Sequence, residues 1–181
     1  MPNLTPGDSA LLILPPPHVV AAIQPWRIQY DPNAEIIPPH ITLAYPSFVP
    51  QAHWAETKLR LSAVLARFQP FEIYLEKTGV FPGDPAVLWL QPVDHGELMC
   101  LHGTLEAVFT EYWTRSEFPF VPHLTIGFFS SQELLRAAQQ EIAEQFSPQT
   151  FTVSKIIYAV LDAAGKWREV DALPLLAAPM P

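Results

Sequence analysis

Hydrophobic and polar residues follow two different periods along this chain. Alternating or continuous apolar runs predict β-strands at 9–14, 40–45, 71–81, 86–93, 123–129, 151–160 and 166–175. Apolar residues three and four apart predict helices at 51–68, 96–113 and 131–146. The segment 19–39 contains Pro25 and Pro32, and we expect a short helix followed by a loop there. The pattern is typical of an α+β protein.

Turn and capping residues mark the borders of several predicted elements. The Pro-Gly-Asp-Pro turn at 82–85 predicts a hairpin between the third and fourth strands. Ser131 is expected to cap the third of the regular helices, because a serine before a helical run accepts hydrogen bonds from its first turn. The tail at 177–181 is expected to fray.

The segments 40–75 and 123–158 repeat the same order of elements. Each has a strand that starts with His-x-Thr, then a helix, then a strand that begins at Phe71 or Phe151. A fixed period of about 83 residues indicates an internal duplication. We therefore expect one domain over 1–181, built of two pseudo-symmetric lobes with antiparallel sheets along a central cleft and helices outside.

Composition narrows the class of protein. Of the 181 residues, 49% are hydrophobic and 15% are charged, which favours a globular chain over a disordered one. The net charge of −8 argues against capture of long nucleic acid or DNA, but allows a small anionic ligand. The single cysteine, Cys100, excludes an internal disulfide and a cysteine zinc cluster. No signal peptide or membrane span is visible, so we expect a cytoplasmic monomer that does not bind membranes.

The motifs His40-Ile41-Thr42 and His123-Leu124-Thr125 contain the candidate chemistry. Residues two apart in a strand point to one face about 6.6 to 6.8 Å apart, so each motif presents an imidazole beside a hydroxyl. One imidazole can take a proton while the other delivers one, as phosphodiester cleavage requires. The threonine hydroxyls could donate hydrogen bonds to the non-bridging oxygens. Such a reaction requires no metal or cofactor.

A single His-x-Thr in a strand is more often structural than catalytic. Two copies, each preceded by proline and flanked by apolar residues, are much harder to attribute to chance in a chain with 6 His. The other histidines lack a threonine at this spacing. Among them, His102 is expected to be structural within its helix, and His53 to lie in an exposed first turn.

With these paired motifs, the sequence resembles the 2H phosphoesterase superfamily, which includes 2′-5′ RNA ligase-like proteins and cyclic nucleotide phosphodiesterases. The resemblance covers about 9–175, including the strand-turn-strand at 79–90. It implies a bilobal α+β fold, with His40 and His123 as the acid-base pair and Thr42 and Thr125 as phosphate ligands. It implies a small cyclic nucleotide or a short RNA end as substrate.

The leading interpretation is metal-independent hydrolysis of 2′,3′-cyclic or related cyclic phosphodiesters. One alternative is 2′-5′ RNA ligation, which the same four residues could support. Another is a non-catalytic module that binds a nucleotide or RNA end, although a pure binder has less need for two histidines and two threonines. Which histidine is the base also remains open.

Other residues are weaker candidates. The aromatic residues Tyr45, Phe81 and Phe129 could stack on a nucleobase, although core packing is the commoner role for such rings. The cations to consider near a phosphate are Lys77, Arg115 and Lys155.

Overall fold

The computed structural model describes residues 4–45, 47–113 and 118–176. Within these ranges the chain forms an α+β fold with antiparallel strand pairing throughout, which confirms the predicted class. The predicted tail at 177–181 lies outside the described residues. In chain order the elements are β1 (Ser9–Ile13), α1 (Pro17–Tyr30), β2 (Ile41–Ala44), a 3₁₀ turn (Gln51–His53), α2 (Trp54–Leu65), β3 (Phe71–Phe81), β4 (Ala86–Val93), α3 (Glu97–Val108), β5 (Leu124–Phe129), α4 (Gln132–Gln145), β6 (Gln149–Val153), β7 (Lys155–Leu161) and β8 (Trp167–Pro174).

The eight strands form one continuous sheet in the order β6-β3-β4-β5-β2-β1-β7-β8. The two His-x-Thr strands, β5 and β2, are therefore central neighbours. Their ladder has a single register pair, Ile41 with Leu124, which we call the seam. Four strands lie on each side of the seam. Because the two central strands share only one register pair, the halves of the sheet are joined weakly at the centre.

The helices pack against one face of this sheet. Residues of all four helices share one buried cluster with Ile41 and Leu124. Thr42 and Thr125 alternate with these core residues and are half-buried, so they lie on the other face. The motif strands thus separate their polar side chains from the core, as their alternation predicted.

Helix α1 is longer than the sequence indicated. The prolines after β1 do not lead into a loop but begin the helix, because Pro17 at the first helical position has the required backbone angle and no amide to leave unsatisfied. Pro25 lies inside the helix. Burial of Val19 and Ile23 in the core compensates for the hydrogen bond that Pro25 cannot make.

The prediction of one strand over 151–160 was wrong. The chain changes neighbours at Ser154, so β6 pairs with β3 at one end of the sheet and β7 pairs with β1 in the other half. The carbonyl of Ser154 accepts a hydrogen bond from the Leu175 amide, 2.9 Å away. At the break two polar, exposed residues, Ser154 and Lys155, follow each other, and the alternating stretch before them gives way to a continuous buried run at 156–160. The predicted single strand ignored this interruption of the pattern.

Both motif strands carry a register irregularity at the same position. Just after each threonine, two steps along the motif strand match one step along the neighbouring strand, as in a β-bulge. The alternation of faces reverses there in both halves. These matching positions support the predicted internal duplication, which stays a prediction together with the domain limits. The paired positions are Thr42 with Leu12 and Ala44 with Leu11, and Thr125 with Trp89 and Gly127 with Leu88.

A glycine allows α1 to sit directly on β5. A Cβ atom at Gly127 would lie 2.4 Å from the Tyr30 Cβ and 2.6 Å from the Tyr30 carbonyl oxygen. We expect Gly127→Ala to lower the free energy of unfolding by about 2 kcal/mol, because backbone must move to make room. Urea denaturation measures this. Gly103→Ala is the control, since nothing lies within 4 Å of its added methyl, and equal stability of the two variants would contradict the prediction.

Other predicted elements were too long. The segment 51–68 is a 3₁₀ turn at Gln51–His53 followed by a helix that ends at Leu65, and the helix predicted over 96–113 ends at Val108. Two borders agree with the sequence. The hydroxyl oxygen of Ser131 accepts a hydrogen bond from the Leu134 amide at 3.4 Å, which confirms the predicted N-cap of α4. Strands β3 and β4 pair as the expected hairpin.

Candidate active site

The two motifs meet at the seam. Extending the antiparallel register by one residue on each side of Ile41 and Leu124 places His40 opposite Thr125, and Thr42 opposite His123. In a regular antiparallel ladder, opposite residues are about 4.5 to 5.5 Å apart and diagonal neighbours about 7 to 8 Å. Each histidine directly precedes the first residue of its strand. The structure therefore brings together the four polar residues that were separated by 83 positions in the sequence.

Each imidazole is held by a backbone carbonyl two residues earlier. The Nδ1–H of His40 donates to the Pro38 carbonyl, and the Nδ1–H of His123 donates to the Val121 carbonyl, both at 2.8 Å. A carbonyl can only accept, so these contacts fix the Nδ1–H tautomer of the neutral rings. In both residues, Nε2 remains as the atom that can take or deliver a proton.

Burial lowers the pKa of both imidazoles. For His40, desolvation has the largest effect, followed by the Pro38 hydrogen bond, which raises the pKa. The positive charges of Arg27 and His123 lower the pKa of His40 further. For His123, desolvation lowers the pKa and the hydrogen bond to Val121 opposes it. The buried environment thus favours neutral imidazoles in the unliganded protein.

Aromatic rings border His123. The Phe81 ring is perpendicular to the imidazole with centroids 4.9 Å apart, and the Trp89 ring lies 6.2 Å away. Phe81 also packs on Trp89, at 5.0 Å. Trp89 is the register partner of Thr125, so these rings line the sheet face that carries the motif side chains.

A half-open cavity of about 950 Å³ adjoins this end of the site. Phe81 belongs both to its wall and to the surroundings of His123, and Val121, which anchors His123, lines it too. The cavity is large enough for a nucleoside. We call it the aromatic pocket; its defining side chains are Tyr45, Phe81, His102, Glu106, Trp113 and Phe120.

Two of the three predicted stacking residues line this pocket. Tyr45 is half exposed there, and Phe81 lies between the pocket and His123. Phe129 is buried in the core, 5.2 Å from the Tyr30 ring, so its assignment as a stacking residue was wrong. The bulge after Thr125 reverses the alternation, and Phe128 rather than Phe129 is the half-exposed residue.

His102 has a larger role in the pocket than the sequence indicated. Its Nδ1–H donates to the Leu43 carbonyl at 2.9 Å, which ties α3 to the first motif strand. Its ring stacks on Phe120 at 3.5 Å and lies edge-on to Trp113 at 5.1 Å. In the sequence, the pocket around His102 is indicated only by Phe120, the ring on which it stacks, which lies three residues before His123.

The predicted cations do not gather at the described site. Arg115 lies outside the described residues. Lys77 lines a separate shallow depression beside α4, and Lys155 begins β7 in an exposed position. Among the described residues, no group of three His, Cys, Asp or Glu side chains is placed to hold a metal ion. None of the described helices has the length and apolar character needed to cross a membrane.

Comparison with known proteins assigns the class that this fold and site define. The family model of the 2′-5′ RNA ligase superfamily matches residues 15–164, and the chain therefore belongs to that superfamily. Among its relatives is the protein named "Putative phosphoesterase GK0864" of Geobacillus kaustophilus, 30% identical over 117 residues, or 65% of this chain and 66% of that one. A Bacillus anthracis relative with the name "Putative phosphoesterase" is 31% identical over 101 residues, or 56% and 58% of the two chains. The matches thus span less than two thirds of these relatives.

Solved structures share the fold over nearly the whole chain. Escherichia coli LigT complexed with 3′-AMP superposes with a TM-score of 0.66 at 22% identity, covering 94% of this chain and 99% of LigT. TT0787 of Thermus thermophilus also has a TM-score of 0.66, at 21% identity and with 93% and 98% covered. At this level of identity the likeness shows a common fold.

Proposed function

We propose that this protein is a phosphodiesterase that hydrolyses 2′,3′-cyclic or related cyclic phosphodiesters of nucleotides or RNA ends by two-histidine acid-base catalysis. The observation that carries the proposal is the placement of His40 and His123 diagonally across the seam, each with Nδ1 held by a carbonyl and Nε2 left for proton transfer. Each imidazole also lies opposite the threonine of the other motif.

The reaction follows from this arrangement. Water attacks phosphorus while one neutral imidazole takes its proton, and the ester bond to the departing ribose oxygen breaks as the other, protonated imidazole delivers a proton to that oxygen. The hydroxyls of Thr42 and Thr125 donate hydrogen bonds to the non-bridging oxygens as their negative charge grows. After the reaction, the imidazole that acted as base is protonated and the one that acted as acid is neutral. Exchange of one proton through solvent restores the starting state of both.

The aromatic pocket supports a nucleotide substrate. Base stacking on aromatic side chains tolerates any nucleobase, and the pocket begins where the surroundings of His123 end. LigT, which shares the fold, has been solved with 3′-AMP, with ATP and with NADP+. A nucleobase in the pocket would place its attached ribose phosphate toward the seam.

The decisive experiment is an assay with EDTA present on 2′,3′-cyclic nucleotides and on oligonucleotides with a cyclic phosphate end, with chromatographic identification of the product. Cleavage to one phosphomonoester isomer is the expected result. If addition of a 5′-hydroxyl RNA yields only 2′-5′-joined products, the activity is ligation and not hydrolysis. Tight nucleotide binding without turnover on any substrate would favour the binding module.

The pH dependence has a direction set by burial. Both imidazoles of the free enzyme have a lowered pKa, so the bell-shaped profile of kcat/KM should have its maximum below about pH 6.5. A bound phosphate anion favours the imidazolium, and the maximum of kcat should therefore lie at higher pH than that of kcat/KM. Initial rates between about pH 4.5 and 9, where most folded proteins remain stable, measure both maxima. A profile with only one rising limb would contradict paired catalysis.

Tyr45 offers a test of the pocket. Tyr45→Ala should raise KM for a cyclic nucleotide about tenfold, because loss of one stacking surface costs about 1 to 3 kcal/mol, while kcat changes less. Steady-state kinetics measures the changes in KM and kcat separately. Tyr74→Ala removes a tyrosine of β3 outside the pocket and should leave KM unchanged. Equal KM in both variants would show that the nucleobase binds outside the aromatic pocket.

A further inference from the structure

The aromatic pocket contains two polar side chains on one face of α3. His102 and Glu106 are four residues apart in this helix, so they are neighbours on its surface, and both line the pocket. Glu106 is exposed, and among the pocket residues that the structure describes its carboxylate is the one formal charge. The proposed function uses the pocket as a stacking surface, for which a carboxylate is not needed.

The hydrogen bond between α3 and β2 determines what His102 presents to the pocket. Its Nδ1–H donates to the Leu43 carbonyl at 2.9 Å, so Nε2 of the neutral ring is an acceptor. Burial lowers the pKa of His102, which favours the neutral ring. Nε2 has no hydrogen-bond partner within the described ranges and is not one of their fully buried atoms. It is therefore open to a ligand.

Aromatic neighbours fix the direction in which this acceptor points. The His102 ring is parallel to the Phe120 ring within 4°, at 3.5 Å, and Trp113 lies edge-on to it at 5.1 Å. An imidazole held by one hydrogen bond and two rings has little freedom to turn. The pocket thus combines stacking surfaces with a fixed acceptor nitrogen and, one helical turn further on, a carboxylate with two acceptor oxygens.

Such a set of acceptors distinguishes nucleobases by their edges. Guanine has two neighbouring donors on its Watson–Crick edge, N1–H and the N2 amino group, which match the two oxygens of a carboxylate. Adenine and cytosine place a ring-nitrogen acceptor beside their amino group, and uracil places its N–H between two carbonyl oxygens. A carboxylate repels these acceptors, so guanine is the base that fits it best.

We propose that the aromatic pocket recognises the nucleobase by its edge and prefers guanine. The Glu106 carboxylate accepts from N1–H and from one amino proton, and Nε2 of His102 accepts the second amino proton. This inference rests on the proposed function, which places a nucleobase in the pocket and its ribose phosphate toward the seam. His102 and Glu106 are specificity-determining residues, and neither transfers a proton in the reaction.

The first test needs no turnover. Calorimetry with the 3′-monophosphates of guanosine, inosine and adenosine compares three purines on the same ribose phosphate, so that stacking is similar in all three. Guanosine should bind about tenfold more tightly than adenosine, because a bidentate contact to a base edge discriminates by about this factor. Inosine keeps N1–H and lacks the amino group, so its affinity should lie between the two. Equal affinity for guanosine and adenosine would overturn the inference.

Glu106→Gln tests the carboxylate. The variant keeps the shape of the side chain and replaces one acceptor oxygen by an amino donor, which matches the mixed edge of adenine. The preference for guanosine over adenosine should therefore fall about tenfold. Glu133→Gln removes the same charge from an exposed position in α4 outside the pocket and should leave the preference unchanged. An unchanged preference in Glu106→Gln would contradict the proposal.

His102→Asn tests the imidazole. Asparagine keeps a donor for the Leu43 carbonyl and removes Nε2. The preference for guanosine over inosine should fall, while the preference for inosine over adenosine, which depends on Glu106, should remain. His102→Gln keeps an acceptor in place of Nε2 and should retain both preferences. A merely structural role would weaken binding of all three nucleotides by the same factor, and that result would refute the role of His102.

Cleavage assays separate this inference from the function on which it rests. The values of kcat/KM for the 2′,3′-cyclic phosphates of guanosine and adenosine should differ by the same factor as the affinities, mainly through KM. Selective binding of guanosine without cleavage of any cyclic phosphate would defeat the proposed function alone. Cleavage of both cyclic phosphates with equal kcat/KM, together with equal affinities, would defeat this inference alone.

Discussion

Replacing either His40 or His123 with alanine is expected to lower kcat by about 10³-fold or more, within the range that removal of a general acid or base costs. The loss should be similar in the two variants, because each imidazole supplies one of two proton transfers in a single displacement. The double variant should lose little beyond either single one, since residues that act as a unit are not additive. Single-turnover rates on a 2′,3′-cyclic nucleotide measure the effect.

The control for this prediction is another histidine. His95 is exposed before α3 and is expected to tolerate alanine with unchanged kcat. Melting temperatures should change little in the two motif variants, because each histidine is only half-buried. Full activity of His40→Ala or His123→Ala would refute the proposed mechanism, whatever the family membership.

The second large effect is expected at the threonines. Thr42→Val and Thr125→Val keep the branched shape of the side chain and remove its hydroxyl, so each should lower kcat by about 10²-fold. KM should change less, because the hydrogen bonds strengthen as charge builds on the non-bridging oxygens in the transition state.

Serine provides the matched variant at both positions. Thr42→Ser and Thr125→Ser retain the donor and should keep most of the activity, which separates loss of the hydroxyl from loss of packing. If the valine and serine variants were equally active, the threonines would be structural, and stabilisation of the phosphate would have to come from other groups. Calorimetry with a phosphate analogue would show whether the valine variants lose activity because they bind the phosphate less tightly.

The pairing of the two His-x-Thr strands agrees with the expectation that the motifs lie close together, whereas their catalytic role stays a prediction. The His-x-Thr motif can be recognised from neighbouring residues alone. In any strand, its histidine and threonine point to the same face. A register shift cannot be read from local alternation, and one prediction failed at such a shift. Phe129 was named as a possible stacking residue because it lies near the second motif, but after the bulge that follows Thr125 it faces the core.

Features formed by distant segments could not be predicted from local patterns. The aromatic pocket joins the end of β2, the tip of β3, one side of α3 and the residues before β5. The burial of Arg27 was not predicted, because it depends on the contact between α1 and β5. Similarly, the change of partner at Ser154 depends on which edges the sheet offers.

The single register pair at the seam determines how motion would affect catalysis. If one half of the sheet rotates relative to the other, the axis passes through or near Ile41 and Leu124, where the halves are joined. Points on an axis move least, so such a rotation would change the separation of His40 and His123 far less than the separation of the outermost strands, β6 and β8. A hinge at the seam would thus leave the geometry of the two imidazoles nearly constant.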